Sequence, residues 1–501
     1  MASPYAAGLA ALLVSGLAQQ KQEIRAADIK QALMVTAHPL RGESFVDQGT
    51  GLPDIEQAYQ WLLGKRHVPD ITVRALKQEG IASAAYHVRR SGESNWVQRF
   101  ELTRPTSSSG ASYRLRSDVP WLTVPAQLSM TGTKSDVDLR YNLATLKAPG
   151  AYTATVTGWG TDSLLGPVFR LVSTIVVPDS LTAGTRELRS SARVDPGAQL
   201  RSFFLADSAR PFEVRVSGAV GQKGLAFLHE PDGMPYRDES ARPIGAADRE
   251  AVYQVDGRDA VRGAYEVVAV SPSTSPLSAN VKVIQSPLRL QLGRDQETVN
   301  AGLTNLTSSP VRTQVAVLLG GAERVETVIA KGSAPRRIPF VAPGWARAVV
   351  VDLTMDRAQW GQFTDFGFTL FDSLGRQIEK QPLNYAFGRL QAKLPDGHGD
   401  MRIELGLFPG FAEPKGDDSW NLRAWIRLYA DSAVALEPKS PADSAVTVAA
   451  GKTASVGFGL PTSPFQLGDG FFPLGVLIAR TGDQSWTREG GLPLSNPPMM
   501  R

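Results

Sequence analysis

The chain has 501 residues, with 53 Lys plus Arg against 49 Asp plus Glu, five histidines and no cysteine. A net charge of +4 spread over that length without a basic run argues against nucleic acid as a partner, and the absence of cysteine excludes disulfides and thiolate metal sites. With 42% hydrophobic and 20% charged residues, the length suggests roughly three or four folded domains.

The chain opens MASPYAAGLAALLVSGLAQQ. A secretory signal is a poor fit, because no Lys or Arg precedes the apolar run before Lys21 and Pro4 occupies the place of a basic n-region. Nor is the run a membrane span, which needs about 18 or more apolar residues; it breaks at Gln19 and Gln20. It predicts a helix. Pro4 suits a first turn, Ala6, Ala7, Gly8, Ala10 and Ala11 are small, and Leu9, Leu12, Leu13, Val14 and Leu17 leave no polar face. A helix apolar all round is expected to be buried in a larger domain. A second helix is expected from Asp28 as cap, with Gln31 at the capping-box position, through Ile29, Ala32, Leu33 and Thr36 to a stop at Pro39. In DQGTGLPDIEQAYQWL, Gly49 and Gly51 predict a turn and Asp54 a cap, and Ile55, Ala58, Tyr59 and Leu62 recur at helical spacing.

Beyond Gly64 the period becomes strand-like and is punctuated by many of the 34 Pro and 47 Gly. Val137, Leu139, Tyr141 and Leu143 alternate, Pro149-Gly150 turns, and Tyr152, Ala154 and Val156 alternate again, which predicts a sandwich hairpin. GTDSLLGPVFRLVSTIVVP follows as a loop and a closing strand. SFFLA, FEVRVSGAV, GLAFLHE and AYEVVAV are strand candidates of a second β segment, which leaves through SPSTSPLSANVKVIQSP. From Leu288 onward VRTQVAVLLGG, ARAVVVDLTM, DFGFTLFDSLGRQIEKQPL, MRIELGLF, LRAWIRLYA, KTASVGFGL and PLGVLIART predict a further sandwich or jelly roll. LSNPPMMR is expected to be a frayed tail.

Met1-Ala2-Ser3-Pro4 resembles the end of the Gly-Thr-Ser-Met-Ala-x-Pro signature of subtilisin-like serine proteases (subtilases), in which the first Ser is the nucleophile and opens a long buried helix. The two further helices, with the Gly49-x-Gly51 turn between them, are similar to the way that catalytic domain closes. The resemblance implies a mainly β chain: tandem β-sandwich domains preceded by the C-terminal helices of a truncated α/β subtilisin-like catalytic domain. The expected divisions are 1–67 for that remnant, 68–180 for a fibronectin-III-like sandwich, 181–286 for a second sandwich and 287–501 for a β-sandwich or jelly-roll region. Pro167, Phe169 and Arg170 resemble the Pro-x-Phe-Arg strand of tripeptidyl-peptidase-type subtilases, and DFGFTLFDSLGRQIEKQPL with LQAKLPDGHGDMRIELGLF resembles their β-sandwich in layout.

For chemistry the resemblance implies that the nucleophilic Ser, the His base and the Asp that orients it all precede Met1. Ser3 takes the small structural position of the signature and not the nucleophile's. His38, His67, His87, His229 and His398 all follow the motif, in the wrong order for the family. The expectation is therefore no catalytic, cofactor or metal residue in this chain, which should be inactive alone. Its implied partners are the upstream catalytic region and, in the full-length parent, a peptide or protein substrate. Exo- and endopeptidase action, oligomeric state and compartment stay open.

Several local patterns carry structural readings instead. Asp365-Phe366-Gly367 matches a kinase triplet but lies in a strand pattern, without a catalytic loop or strand lysine. Gly451-Lys452-Thr453 ends like a phosphate loop, but Val446 stands where the first Gly is required, so a hairpin turn is expected. Asp396, His398 and Asp400 are expected in an exposed hairpin turn, and Asn305-Leu306-Thr307 in an ordinary turn. Trp159, Trp345, Trp360, Trp420, Trp425 and Trp486 suit sandwich packing better than a binding surface. The alternative to a protease portion is a secreted β-sandwich binding or adhesion protein. The capped helices within residues 28 to 63 count against it, since a plain adhesin has no use for them.

Overall fold

The computed structural model describes residues 2–23, 25–40, 48–64, 69–77, 83–104, 110–179, 187–236, 241–245, 250–272, 274–295, 297–383, 385–412, 418–440, 445–460 and 465–493. Met1, His67 and the LSNPPMMR tail lie outside these residues, as does the side chain of Ser3. The chain is mainly β and forms two compact units, Met1–Pro178 and Asp179–Arg501.

The first unit begins with α1 (Ala2–Gln19), α2 (Ala26–Val35) and α3 (Ile55–Leu63). Asp54 caps α3 as the sequence predicts, its carboxylate accepting the Gln57 N–H at 2.9 Å. Capping of α2 differs from expectation. Its N-cap is Arg25, and Asp28 and Gln31 are buried within the helix. Gln31 turns away from the helix start because its amide nitrogen donates to the carbonyls of Leu165 (2.7 Å) and Pro167 (2.8 Å). Trp61 Nε1 donates to the Leu164 carbonyl at 2.9 Å, and a Cβ on Gly166, at φ +70°, would stand 2.5 Å from Val35 Cγ1. The GTDSLLGP loop is thus the clamp between the helices and the sandwich. Leu13, Leu17, Ile29, Ala32, Ala58, Trp61 and Leu62 join one hydrophobic core with Phe100, Leu139, Val156 and Leu171 of that sandwich. Helix α1 is covered on one side only. Leu9, Leu13 and Leu17 are buried, whereas Leu12 is 63% and Tyr5 56% exposed, so the all-round burial expected from its composition is not met by the described residues.

In the sandwich, one sheet has the order Thr72–Ala75, Asn95–Thr103, Lys134–Asn142, Leu122–Thr123. The other has the order Ala84–Val88, Pro167–Val177, Gly150–Trp159, Ala111–Ser117, Gln127–Met130, with its first pair parallel. Val137, Leu139, Tyr141 and Leu143 alternate inward as predicted. The hairpin expected around Pro149-Gly150 is a correction. Lys134–Asn142 and Gly150–Trp159 belong to opposite sheets, so the connection crosses the core instead of folding back on it.

The second unit opens with two four-stranded sheets. Their orders are Glu187–Val194, Leu277–Gln285, Phe212–Ser217, Ala251–Val255 and Gln199–Ala206, Gly263–Val270, Gly224–His229, Arg242–Ile244. Phe204, Phe212 and Tyr265 pack between them with ring centroids 4.8 to 5.7 Å apart. The SPSTSPLSANVKVIQSP stretch read as an exit holds an interior strand, with Leu277, Ala279, Val281 and Val283 all buried. Its Pro- and Ser-rich first half hides that alternation.

Residues 288–493 are built on one seven-stranded sheet. Its path runs Phe387–Lys393, Ala346–Thr354, Ser419–Ala435, Val311–Lys331, Phe472–Thr481, Gln484–Gly491, with Ala445–Val448 beside the 21-residue strand Val311–Lys331. That long strand carries a bulge between Leu319 and Gly321 in its pairings with Ser419–Ala435 and Phe472–Thr481. Before the bulge Val315, Val317 and Leu319 enter the core shared with the Leu288–Asp295, Thr298–Asn305, Thr453–Gly459 sheet. After it Ala322 and Ala330 enter a second core, shared with the Arg336–Ala342, Met401–Phe411, Phe363–Asp372, Gln377–Pro382 sheet. The extra residue shifts the parity from odd to even and so keeps the apolar side chains on one face across two cores. Gly451-Lys452-Thr453 lies at a turn, but between strands of different sheets, which corrects the hairpin expectation. The Asp396–Asp400 stretch also links two sheets, joining Phe387–Lys393 to Met401–Phe411. Phe366 of the kinase-like triplet is buried in a strand, as expected.

Candidate functional site

The histidines show what acyl-transfer chemistry these residues can assemble. His38 Nε2 lies 3.1 Å from Asp54, whose carboxyl is held below its usual value first by the Gln57 N–H and then by His38. His87 Nε2 lies 2.9 Å from Glu93 and its ring stacks on Trp96 at 4.5 Å. His229 Nδ1 lies 3.2 Å from Glu266. The ring nitrogens of His398 face the carbonyls of Gly399 (2.6 Å) and Ala346 (2.7 Å), so neither is turned toward a cation, and Asp400 accepts the Gly344 N–H. Among the described residues no histidine hydrogen-bonds a serine hydroxyl, and no group of three His, Asp or Glu could hold a metal ion. Among the described residues no helix is long and apolar enough to cross a membrane. Asn305 is buried with its amide bonded to the Ser309 and Val448 carbonyls, a structural role that keeps it from solvent. The tryptophans do not form one surface. Trp420 and Trp486 are buried, Trp345 packs on Phe465, and Trp159 Nε1 donates to Thr157.

The part of the subtilase-like signature that the structure describes is the start of α1. Gly16 lets α3 approach, since a Cβ there would stand 2.8 Å from the Tyr59 ring, and Tyr59 Oη reaches the Gly16 carbonyl at 3.4 Å. The first turns, Pro4 to Gly8, are exposed. A helix N-terminus with free N–H groups stabilises a nearby anion, which is what acyl transfer requires close to its nucleophile.

A second polar centre, in the other unit, was not anticipated from the sequence. On the Ser419–Ala435 strand Leu422, Ala424, Ile426 and Leu428 enter the core, so Arg423, Trp425, Arg427 and Tyr429 project from the opposite face. Arg427 lies directly across from Glu323, and Asp352 across from Arg389. Arg427 donates to Glu323 (2.8 Å) and to Asp352 (2.7 Å), and Arg389 clasps Asp352 at 2.6 and 2.7 Å. Arg258 Nη1 reaches Glu323 at 2.7 Å, and Tyr429 donates to Glu489 at 2.7 Å. Burial works against the Arg427 charge, but Asp352 and Glu323 outweigh it and hold the guanidinium above its ordinary value. Burial likewise raises Asp352, and Arg389 and Arg427 overcome that and lower it. The signal existed in the sequence as charges at buried-strand positions, in VVVDL, GAERV and WIRLY.

Asp256 borders this cluster in a cleft of ≈ 540 Å³ lined also by Tyr236, Arg242, Gln254, Thr487 and Glu489. It accepts the N–H groups of Arg258 (2.6 Å) and Glu489 (3.1 Å). Burial is the main reason its carboxyl is pushed up to about 6, with Asp259 and Glu489 adding to the shift. The folded state therefore binds this proton more tightly than the unfolded chain, and stability falls as pH rises through the window from about 4 to about 6. Urea denaturation across that window should show a loss on the order of 2 kcal/mol toward higher pH from this group, and Asp256→Asn should remove that part of the slope. An unchanged slope in the variant would refute the assignment.

No protein-family model matches the chain. In sequence, residues amounting to 36% of the chain are 30% identical over 196 residues to tripeptidyl-peptidase 2 of Drosophila melanogaster and 28% identical over 204 residues to tripeptidyl-peptidase 2 of Caenorhabditis elegans. The matched stretch amounts to 14% of each relative's own length. Crystallographic tripeptidyl peptidase 2 superposes on 99% of the chain with a TM-score of 0.67 at 18% identity, using 46% of that structure. In sequence over 36% of its length and in fold over nearly all of it, the chain is similar to tripeptidyl-peptidase 2, a subtilisin-like peptidase.

Proposed function

We propose that the chain is the C-terminal portion of a subtilisin-like serine peptidase that cleaves peptides by Ser-His-Asp acyl transfer, and that it hydrolyses nothing alone. The observation that carries this reading is α1, a helix led by Met1-Ala2-Ser3-Pro4 and clamped through α2 and α3 to a β-sandwich. In the assembled peptidase the nucleophilic Ser immediately precedes Met1, and the N–H groups opening α1 stabilise the oxyanion by their dipole. The apolar face of α1 that bears Leu12 and Tyr5 packs against the upstream part of the catalytic domain, which supplies the His base and the Asp that orients it. The sandwiches support that domain and limit access to it.

The test is to purify the 501-residue chain and the same chain preceded by its upstream coding sequence, and to assay both on fluorogenic peptide amides. Activity is expected only in the longer protein, and replacing the Ser before Met1 by Ala should abolish it. Hydrolysis by the chain alone would overturn the proposal.

A further inference from the structure

The outer face of the five-stranded sheet in the first unit carries arginines that nothing balances. Register places Arg116, Thr157 and Arg170 in one row across three neighbouring strands, and Arg114 opposite Trp159 in the next row. With strands about 4.8 Å apart, Arg116 and Arg170 stand roughly 10 Å from each other with Thr157 between them. Among the described residues none of these three guanidinium groups has a hydrogen-bond or ion-pair partner, unlike Arg99 on the other sheet, which is held by Asp138. The carboxylates that first follow two of these strands in sequence are engaged elsewhere. Asp118 accepts the Thr155 N–H and Asp162 the Leu164 N–H. Arg170 is half-buried, and burial alone pulls its guanidinium below the ordinary value, with no opposing carboxylate. Beside this row lies a cleft of ≈ 510 Å³ lined by Arg114, Leu115, Arg116, Gln127, Trp159 and Ser163.

Like charges gathered on one sheet face repel each other, and a half-buried guanidinium without a partner adds the cost of lost hydration. A bound carboxylate relieves both, and an arginine fork suits a carboxylate in two-point contact. The cleft also offers the indole of Trp159, which inorganic anions cannot use. We propose that this cleft binds an acidic peptide segment, its carboxylates on Arg114, Arg116 and Arg170 and an apolar side chain against Trp159.

A fluorescently labelled glutamate-rich peptide with a single phenylalanine, titrated with the full chain and followed by anisotropy, tests the site. Saturable binding is expected, weakened by added salt and by roughly tenfold or more in Arg114→Gln/Arg116→Gln. Trp159→Leu should weaken the same peptide but not a version with serine in place of phenylalanine. Arg140→Gln, on the other sheet, should leave binding unchanged. Circular dichroism melts identify any variant whose loss comes from unfolding, and for such a variant Arg170→Gln is the substitute. Binding that is absent, equal in the double variant, matched by the glutamine version of the peptide, or displaced by inorganic phosphate or an oligonucleotide of equal affinity would overturn the proposal.

Discussion

Replacing Arg427 by methionine is expected to destabilise the Asp179–Arg501 unit by about 3–5 kcal/mol, among the largest effects of any single change in it. Arg427, Glu323 and Asp352 are 4%, 6% and 5% exposed, so water cannot replace the lost guanidinium. Methionine fills much of the volume but leaves Glu323 with Arg258 and Asp352 with Arg389 as their remaining cationic partners, both nearer the surface. The loss is chiefly the cost of a buried carboxylate short of one partner, not the net worth of the ion pair. Arg389→Met should cost less, because its side chain is 25% exposed and Asp352 keeps Arg427. Urea denaturation, with hydrogen exchange of peptides from Ser419–Ala435 reporting on the sheet, checks both. Equal and small effects would mean the cluster is hydrated and does not hold the strands.

Gly321→Ala is expected to cost roughly 3 kcal/mol or more, through strain instead of charge. A Cβ at Gly321, where φ is +155°, would lie 1.9 Å from the Leu428 carbonyl oxygen of the adjoining strand, and a backbone atom cannot swing aside as a side chain can. The bulge would have to open, and with it the parity change that sends Val317 and Leu319 into one core and Ala322 into the other. Gly320 gives the control. A Cβ there meets nothing within 4 Å, so Gly320→Ala should stay within about 1 kcal/mol of the native chain. Thermal melts of the two variants compare them directly, and equal melting temperatures would refute the role of the bulge.

These sites mark where the sequence was legible and where it was not. Asp54 announces α3 because a cap acts on N–H groups within one turn of itself, and Val137, Leu139 and Tyr141 announce a half-buried strand because alternation is local. Partners across a sheet are not local. Gly150–Trp159 has the turn signal of a hairpin yet pairs with Pro167–Val177 in another sheet. Asp28 and Gln31 have capping-box spacing, but a loop more than 130 residues away offers Gln31 two carbonyls that the helix start does not. The charges of Glu323, Asp352 and Arg427 interrupt apolar strands without naming one another, because the residues they need lie up to 104 positions apart. The Met-Ala-Ser-Pro stretch at the N-terminus carries the subtilase resemblance because it matches a signature in residue order and not only in periodicity.

In the proposed serine peptidase the nucleophile directly precedes Met1. The most direct measurement is to treat an extract of the source cells with a biotinylated fluorophosphonate, capture the labelled proteins, digest them and sequence the peptides by mass spectrometry. Peptides of this chain are expected among the labelled proteins, with the probe on a serine in a peptide that reads through Met1-Ala2-Ser3-Pro4. Labelling on a serine numbered within this chain, or recovery of its peptides only from the unlabelled fraction of catalytically active extract, would contradict it.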